Sequence, residues 1–329
     1  MSNLTSMNDL TAMVAEIMKK QPEIKSVYFV GCGASRADLY PAHYFLTAES
    51  KKLRTFIHTA NEFNYATPAA VDETAIVITC SLGGTTPETV EATTLAKNKG
   101  AHTIAVTHAA GSAITKDADY TVVFDWENGY SAKMDKMIKV LVLAAEILNQ
   151  TEGYAAYDKM MDAADKIYGA IDESVKYVVP DAKKFAEDFK DAPIVYVTSS
   201  GAMQEVAFSF SACLMMEMQW IPSSNFNDGD FFHGPFEIAE KDVHYLLLMN
   251  EGRTRAMDSR ALDFMQRFDA KVSLVDAKDF GLSSIVAKEV IDYFNPIIVS
   301  PVIRVYAEQI AIVRNHPLTK RRYMWKLEY

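Results

Sequence analysis

The sequence predicts an α/β protein in which parallel β-sheets are flanked by helices. Short β-rich runs alternate with helical stretches through the first half of the chain, and the alternation restarts after a mostly helical middle segment. Strands that alternate with helices imply βαβ crossovers and therefore parallel sheets. The chain has 329 residues, which at about 150 residues per domain corresponds to two domains.

The first half supplies five β-rich runs and two clear helices. The predicted strands are Ser26–Val30, Thr55–Ala60, Ala75–Cys80, His102–Thr107 and Tyr120–Phe124. The predicted helices between them are Arg36–Ala48 and Glu88–Asn98. We therefore expect residues 1–150 to form a first domain, which also contains an N-terminal helix.

The middle and the second half complete the predicted architecture. Met134–Asn149 and Tyr157–Asp188 have helical patterns, and residues 151–190 are expected to connect the domains. Residues 191–329 are expected to form the second domain, because the alternation resumes there. Its predicted elements are Ile194–Thr198, a helix at about Ala202–Trp220, His244–Met249, a helix at about Thr254–Phe268, and Lys271–Val275.

Composition and charge exclude several classes of protein. A hydrophobic share of 49% and a charged share of 23% are ordinary for a globular protein, which excludes wholesale disorder. The net charge of −10 argues against general binding to nucleic acid or anionic membranes. The three scattered cysteines support neither a disulfide framework nor a zinc ribbon. No N-terminal signal and no long apolar run is seen, so a cytoplasmic protein is expected.

The first predicted strand ends in a glycine-rich turn, Gly31-Cys32-Gly33, that leads into a helix. A dinucleotide-binding fingerprint would place its third glycine where Arg36 stands. The turn is equally compatible with a tight strand-to-helix connection that binds nothing. No lysine of the P-loop type follows this or the next glycine-rich turn, which argues against a P-loop nucleotide site.

The third predicted strand is followed by a loop rich in hydroxyl groups, Ser81-Leu82-Gly83-Gly84-Thr85-Thr86. Pro87 suits the first turn of a helix, Thr85 or Thr86 can cap that helix, and Gly100 closes it. Free backbone N–H groups and the positive end of the helix dipole can bind phosphate there without a lysine. The alternative is an ordinary capped helix with a flexible lead-in.

The helix at about Ala202–Trp220 is apolar on nearly every face, which predicts burial. Glu217 is its single ionisable residue after Glu205. Burial should raise the pKa of this carboxyl toward neutrality and make it a proton donor and acceptor. The alternatives are a structural ion pair, or a helix end that turns toward solvent.

His233 stands in a turn rich in phenylalanine, between Asp230 and Glu237. Glycine, proline and three phenylalanines predict a dry turn, in which the imidazole could act as an acid or base. The alternative is a packed core histidine. The other histidines show no metal-ligand spacing, so no metal is expected.

These segments resemble the sugar isomerase (SIS) superfamily, whose members contain two flavodoxin-like domains in tandem. Within it, the chain resembles the fructosamine-6-phosphate deglycases, which act on fructoselysine 6-phosphate or phosphofructose-aspartate. The resemblance extends over essentially the whole chain. The segments that carry it are Cys32–Ser35, Ser81–Thr89, Met216–Ile221, Phe232–Ile238 and the tail His316–Tyr329.

The resemblance implies that a fructosamine 6-phosphate and water yield glucose 6-phosphate and the free amine, without a cofactor. It implies homo-oligomers, dimers or larger, in which the histidine loop completes the site of a neighbour. It also implies roles for single residues. Ser35, Ser81 and Thr86 would bind the substrate phosphate, Cys32, Gly33 and Ser131 would lie near the sugar, and Glu217 and His233 would transfer protons.

The chain departs from the family pattern at three positions. Gly83 replaces the second serine of the phosphate loop, and Asp230 stands where glutamate is usual. Arg322 lies near the position of a tail lysine found in isomerases that synthesise aminosugars. Three other functions remain open from the sequence: aldose–ketose phosphosugar isomerisation, non-catalytic sensing of a sugar phosphate, and dinucleotide binding at Gly31–Arg36.

Overall fold

The computed structural model describes residues 4–328. Its chain contacts divide into two compact units, one ending at Lys166 and the other beginning at Ile167. Each unit contains one fully parallel β-sheet with helices packed against it. The predicted α/β class with parallel sheets is therefore confirmed. The domain boundaries expected near residues 150 and 190 stay a prediction.

The sheet of the first unit has five strands in the spatial order β2-β1-β3-β4-β5. The strands are β1 (Ser26–Gly31), β2 (Arg54–Thr59), β3 (Ala75–Cys80), β4 (His102–Thr107) and β5 (Tyr120–Val123). All five predicted strands are present within one residue at each end. The central strands β1 and β3 are buried at every position, as expected for a parallel sheet with both faces covered.

The helices of the first unit differ from the prediction in one break and in one additional short helix, Ala60–Tyr65. They are α1 (Met7–Lys20), α2 (Gly33–Ala37), α3 (Tyr40–Glu49), α4 (Ala60–Tyr65), α5 (Pro87–Asn98) and α6 (Tyr130–Glu152). The single helix predicted over Arg36–Ala48 is thus two helices. Pro41 lies in the first turn of α3, where its missing N–H costs nothing, whereas inside one continuous helix it would remove a hydrogen bond.

The helix predicted over Tyr157–Asp188 is also broken. It consists of α7 (Tyr157–Tyr177) and α8 (Val179–Phe189), with Pro180 in the first turn of α8. Proline again explains the break, because the helix has to restart where a backbone donor is missing. The mostly helical character of this segment is as predicted.

The sheet of the second unit has four parallel strands in the order β7-β6-β8-β9. The strands are β6 (Val195–Ser199), β7 (Ser223–Asn227), β8 (His244–Met249) and β9 (Lys271–Asp276). The sequence analysis missed β7. Its residues, Ser-Ser-Asn-Phe-Asn, are mostly polar and lack the β-branched side chains that mark a strand, and it pairs only at the edge of the sheet.

The helix predicted at about Ala202–Trp220 changes its winding along its length. A 3₁₀ turn (Gly201–Met203) leads into α9 (Gln204–Phe208), and a π-helix follows over Ser209–Gln219. Trp220 ends the π-helix with a left-handed φ of 57°. The π-helix is rare in proteins and is often found at functional sites. An apolar sequence pattern does not distinguish it from an α-helix.

Two further helices complete the second unit, α10 (Arg255–Arg267) and α11 (Ile291–Val313). The sequence analysis did not identify α11. This helix is long and apolar enough to cross a membrane by length and composition, but 61% of its most apolar window is buried inside the structure. It packs against α8, as a core helix does. The remaining tail, residues 314–328, has no long helix or strand.

Candidate functional site

The hydroxyl-rich loop lies between the end of β3 and the start of α5. Thr86 occupies the N-cap position of α5, and Pro87 is the first helical residue, as predicted. The Thr86 side chain makes no capping hydrogen bond, because its Oγ1 lies 2.9 Å from Ser81 Oγ. The predicted cap is therefore correct in position but not in bonding. Its hydroxyl is joined to that of Ser81 at the positive end of the α5 dipole.

Gly84 determines the shape of this loop. Its φ is +65°, and a Cβ atom at this position would lie 1.9 Å from Ser112 Oγ. Its N–H donates to Ser81 O at 3.1 Å, and its carbonyl accepts from Ile114 N at 2.9 Å. Gly83 differs, since a Cβ atom there would meet only Thr85 Oγ1, at 3.8 Å. The serine usual at position 83 would therefore fit.

The glycine-rich turn after β1 lies beside this loop. Gly31 is paired in register with Cys80, so the two strand ends lie level at the same edge of the sheet. This edge, between β1 and β3, is the topological switch point where open parallel sheets bind ligands. Cys32 Sγ accepts a hydrogen bond from Thr89 Oγ1 at 3.8 Å, which joins the turn to α5.

The structure brings most of the predicted first-unit residues to this edge. Ser35 lies half-buried in α2, and it interacts with the Cys80 thiol, whose pKa burial raises to about 11. Gly33 is exposed, with a left-handed φ of +51°. Ser131 lies in the first turn of α6, half-buried. Its approach to a sugar stays a prediction.

A buried ion pair beside these strand ends was missed by the sequence analysis. Lys136 Nζ lies 2.5 Å from Asp38 Oδ2, and the lysine side chain is only 3% exposed. Burial lowers the pKa of Lys136, but Asp38 and Cys80 outweigh it and hold that pKa above its usual value. The lysine therefore stays charged. A lysine among the mostly apolar buried residues of α6 was the available signal.

Glu217 lies in the second unit, where it lines a cavity of about 520 Å³. The end of the π-helix forms one wall, and the C-terminal tail forms the other. Most of the lining is apolar, and the charged exceptions are one carboxylate and two arginines. The lining residues are Met216, Glu217, Trp220, Ile221, Pro222, Arg321, Arg322, Tyr323 and Met324.

The Glu217 carboxylate is paired with an arginine of the tail. Its Oε1 lies 2.7 Å from Arg321 Nη2. The side chain of Glu217 is 26% exposed and that of Arg321 is 8% exposed. Arg321 Nη1 also donates to the carbonyls of Leu318 and Lys320, at 2.7 and 3.0 Å. The predicted burial of the Glu217 carboxyl is only partial, because the helix end opens into the cavity, and the ion pair considered as an alternative is present.

The predicted direction of the Glu217 pKa is confirmed. Burial raises this pKa above its ordinary value, and the charge and hydrogen bond of Arg321 offset part of that increase. A carboxyl whose pKa is raised by burial is a candidate for both accepting and donating a proton. The geometry therefore leaves an acid–base group at the wall of a cavity.

The tail is fastened to the end of the π-helix. The carbonyl of His316 accepts from Gln219 Nε2 at 2.8 Å, and its ring meets the Trp220 ring edge-on, with centroids 4.5 Å apart. Lys320 and Arg322 lie over the Trp220 ring, at 5.0 and 4.3 Å from its centroid. The tail thus forms one wall of the cavity through its buried Arg321, while its other basic side chains, Lys320, Arg322 and Lys326, are exposed.

His233 is exposed on a 3₁₀ turn, so the expectation of a dry turn is wrong, as is the alternative of a core histidine. Phe231 is fully buried, and Phe232 and Phe236 pack edge-on to Phe264, at 5.4 and 5.6 Å between centroids. The phenylalanines anchor the turn while the imidazole faces outward. His233 does not line the Glu217 cavity.

A second missed feature is a pair of buried aspartates at the strand ends of the second unit. Asp228 follows β7 and Asp258 lies in α10, and both are almost fully buried. Asp258 accepts a hydrogen bond from Ser200 Oγ, and another from Asn250 N at 2.8 Å. Burial and then the charge of Asp258 raise the pKa of Asp228 to about 9. Asp228 therefore holds a proton at neutral pH.

Within residues 4–328, no group of three or more histidine, cysteine or acidic side chains is placed to hold a metal ion.

Comparison with known proteins identifies a matching family model and similar proteins and structures. The SIS domain family matches residues 23–147. The chain is 36% identical over 310 residues to fructosamine deglycase FrlB of Bacillus subtilis (strain 168), covering 94% of each protein. It is 25% identical to fructoselysine 6-phosphate deglycase of Escherichia coli (strain K12), over 80% of this chain and 76% of that protein. A crystal structure described as a phosphosugar isomerase, from Salmonella typhimurium LT2, has a TM-score of 0.95 and 39% identity, covering 98% and 97% of the two chains.

Proposed function

Because the chain belongs to the fructosamine deglycase family of SIS-domain proteins, we propose that it hydrolyses a fructosamine 6-phosphate to glucose 6-phosphate and the free amine. The observation that carries this function is the Glu217 carboxyl, which has a raised pKa and lies at the wall of a large, mostly apolar cavity. Such a site suits proton transfer at carbon, which needs a base and limited access of water.

The phosphate of the substrate is assigned to the loop that joins β3 to α5. The adjacent hydroxyls of Ser81 and Thr86, with the N-terminus of α5, support this role, because donors and the helix dipole both favour an anion. Ser35, Cys32 and Gly33 lie at the same sheet edge. We assign Ser35 to the phosphate and the other two to the sugar, together with Ser131.

Glu217 is assigned the role of base and proton shuttle. It removes the proton from C1 of the open-chain fructosamine, which gives an enaminol, and returns a proton to C2, which gives an imine between C1 and nitrogen. Water adds to the imine, and the resulting carbinolamine expels the amine and leaves the aldehyde of glucose 6-phosphate. Arg321 keeps the carboxylate oriented and limits the rise of its pKa. The sequence of steps consumes one water and needs no cofactor.

His233 is assigned to the site of a second copy of the chain. Its exposure and its absence from the lining of the Glu217 cavity support this arrangement. There it would assist ring opening and protonate the departing nitrogen. Homo-oligomers with composite sites follow from this assignment.

We also propose that residues 191–329 form a second SIS domain, and that residues 151–190 connect it to the first, residues 1–150. The four strands of the second unit have the order that the first four have in the first unit, which supports a tandem of flavodoxin-like domains. A cytoplasmic location agrees with a substrate that is a phosphorylated metabolite.

Release of glucose 6-phosphate from fructoselysine 6-phosphate tests the function. Glu217→Gln should lower kcat by at least about a hundredfold, since a general base contributes about 10²–10⁴-fold, while substrate binding persists. Glu308→Gln is the matched control, because Glu308 also pairs with an arginine, Arg304 at 3.0 Å, outside the cavity. Full activity of the Glu217 variant would remove that residue from the mechanism.

Two substrates separate the alternative functions. Turnover of fructose 6-phosphate with no release of amine from fructoselysine 6-phosphate would favour an aldose–ketose isomerase. Binding of both compounds without turnover of either would favour a sugar-phosphate sensor.

Mixing two inactive variants tests the role of His233. If the histidine acts in the neighbouring site of a two-fold dimer, Glu217→Gln and His233→Asn chains mixed by co-expression should regain about a quarter of wild-type activity, since half of random dimers then hold one intact site. No regain of activity would place both residues in the same chain's site.

A further inference from the structure

Arg322 is the charged group of the Glu217 cavity that has no charge partner. Its guanidinium lies 4.3 Å from the centroid of the Trp220 ring and 5.9 Å from that of Tyr323. The residue is exposed, and no carboxylate in residues 4–328 forms an ion pair with it. Arg321, in contrast, is buried and committed to Glu217 and to backbone carbonyls. Arg322 is therefore the uncompensated positive charge of this cavity.

Within residues 4–328 the Arg322 guanidinium lies over the Trp220 ring and donates no hydrogen bond to another residue, so its N–H donors are free. A guanidinium that stacks on an aromatic ring uses its face, while its N–H donors point outward in the plane. That planar fork fits a carboxylate through two parallel hydrogen bonds. Trp220 is itself held in place, because its backbone N–H donates to Met215 O and its ring packs on the ring of His316.

The rest of the lining restricts the chemistry of the ligand. Apart from the two arginines and Glu217, the walls consist of the apolar side chains of Met216, Ile221, Pro222 and Met324, with Trp220 and Tyr323. A volume of about 520 Å³ suits a small molecule. The cavity thus favours a ligand that joins a hydrocarbon segment to one anionic group, with its reacting atoms near the carboxylate.

We infer that Arg322 forms a carboxylate-binding subsite for the amino-acid part of the substrate. The inference rests on the proposed function, which assigns the phosphate to the Ser81–Thr86 loop and leaves the amino-acid carboxylate as the other anionic group. Arg322 determines specificity and takes no part in proton transfer.

A pair of substrates that differ only in the carboxylate tests this subsite. One is fructoselysine 6-phosphate linked through the side-chain nitrogen, and the other is the same compound built on 1,5-diaminopentane. Arg322→Gln should lower kcat/KM for the first by about tenfold to a hundredfold, mainly through KM, because a charge-assisted contact is lost. Turnover of the second should not change. Arg322→Lys should recover part of the loss.

The control is Arg267→Gln, because Arg267 is also exposed and lies over an aromatic ring, that of Phe268 at 5.7 Å, away from the cavity. This variant should have the wild-type kcat/KM for both substrates. If Arg322→Gln lowered kcat/KM equally for both substrates, or for neither, the proposed subsite would be overturned.

Equilibrium binding separates this inference from the proposed function. Calorimetric titration of the Glu217→Gln protein gives the affinity for both compounds without turnover. In one outcome, the wild type releases no glucose 6-phosphate, yet the compound with the carboxylate binds more tightly than the compound without it, and this difference is lost when Arg322→Gln is added. The proposed function then fails and the subsite stands. If the wild type hydrolyses both compounds with equal kcat/KM, the function stands and the subsite fails.

Discussion

Removing Arg321 should raise the pKa of Glu217 and shift the pH dependence of catalysis. In Arg321→Met the carboxylate loses a guanidinium that lies 2.7 Å away and lowers its pKa by charge and by hydrogen bonding. Two unit charges separated by about 4 Å interact by about 1 kcal/mol in water and about 4 kcal/mol near a protein surface. Because the Glu217 side chain is 26% exposed, we expect the interaction energy between Glu217 and Arg321 to lie in the lower part of this range.

Loss of that interaction removes both influences that lower the Glu217 pKa, so this pKa should rise further above its ordinary value. A base is active only above its pKa, so the acid limb of the kcat/KM profile should move to higher pH by the same amount. On the acid limb of its profile the variant should be less active than the wild type at the same pH, and raising the pH should restore much of that activity. A purely structural role of Arg321 would lower activity equally at every pH.

The assay is release of glucose 6-phosphate, measured from about pH 5 to about pH 9 to cover both limbs. Arg321→Lys keeps a positive charge and should shift the limb less. The control is Arg304→Met, which breaks the comparable pair with Glu308 outside the cavity and should leave the profile unchanged. An acid limb of Arg321→Met that stays in place or moves to lower pH would refute the reasoning.

Three further predictions concern other parts of the molecule. Ser81→Ala should raise KM for phosphorylated substrates about tenfold, the cost of one hydrogen bond to a charged group, with kcat nearly unchanged. Gly84→Ala should lower Tm and weaken inorganic phosphate binding, because its Cβ would overlap Ser112. In contrast, Gly83→Ser, at an open position, should leave Tm unchanged. Asp228 has a pKa of about 9 in the folded state, so folding retains a proton that the unfolded chain releases above its ordinary pKa of 3.8. The free energy of unfolding, and with it Tm, should therefore decrease as pH rises between these values. In Asp228→Asn this decrease of Tm with pH should be smaller.

The sequence by itself determined the local elements of this protein. The alternation of β-rich and helical segments gave the parallel sheets, because that pattern follows from the chain connectivity of βαβ units. The loop from Ser81 to Pro87 was also recognisable, since proline and capping residues act on their immediate neighbours. Glu217 stood out as one carboxylate in an apolar helix, which is again a local property. Where local signals conflicted or were weak, as at Pro41 and in the polar strand β7, the prediction failed.

Only the tertiary structure decided what surrounds these groups. Arg321 meets Glu217, Lys136 meets Asp38, and Asp228 meets Asp258 through folding that brings distant segments together. No periodicity or spacing encodes such pairs, because each depends on the path of the whole chain. The same holds for exposure, since the phenylalanines that were expected to enclose His233 instead pack beneath it and leave the imidazole outside. The residues proposed to carry the chemistry were thus visible in the sequence, whereas their pKa shifts and partners arose from long-range packing.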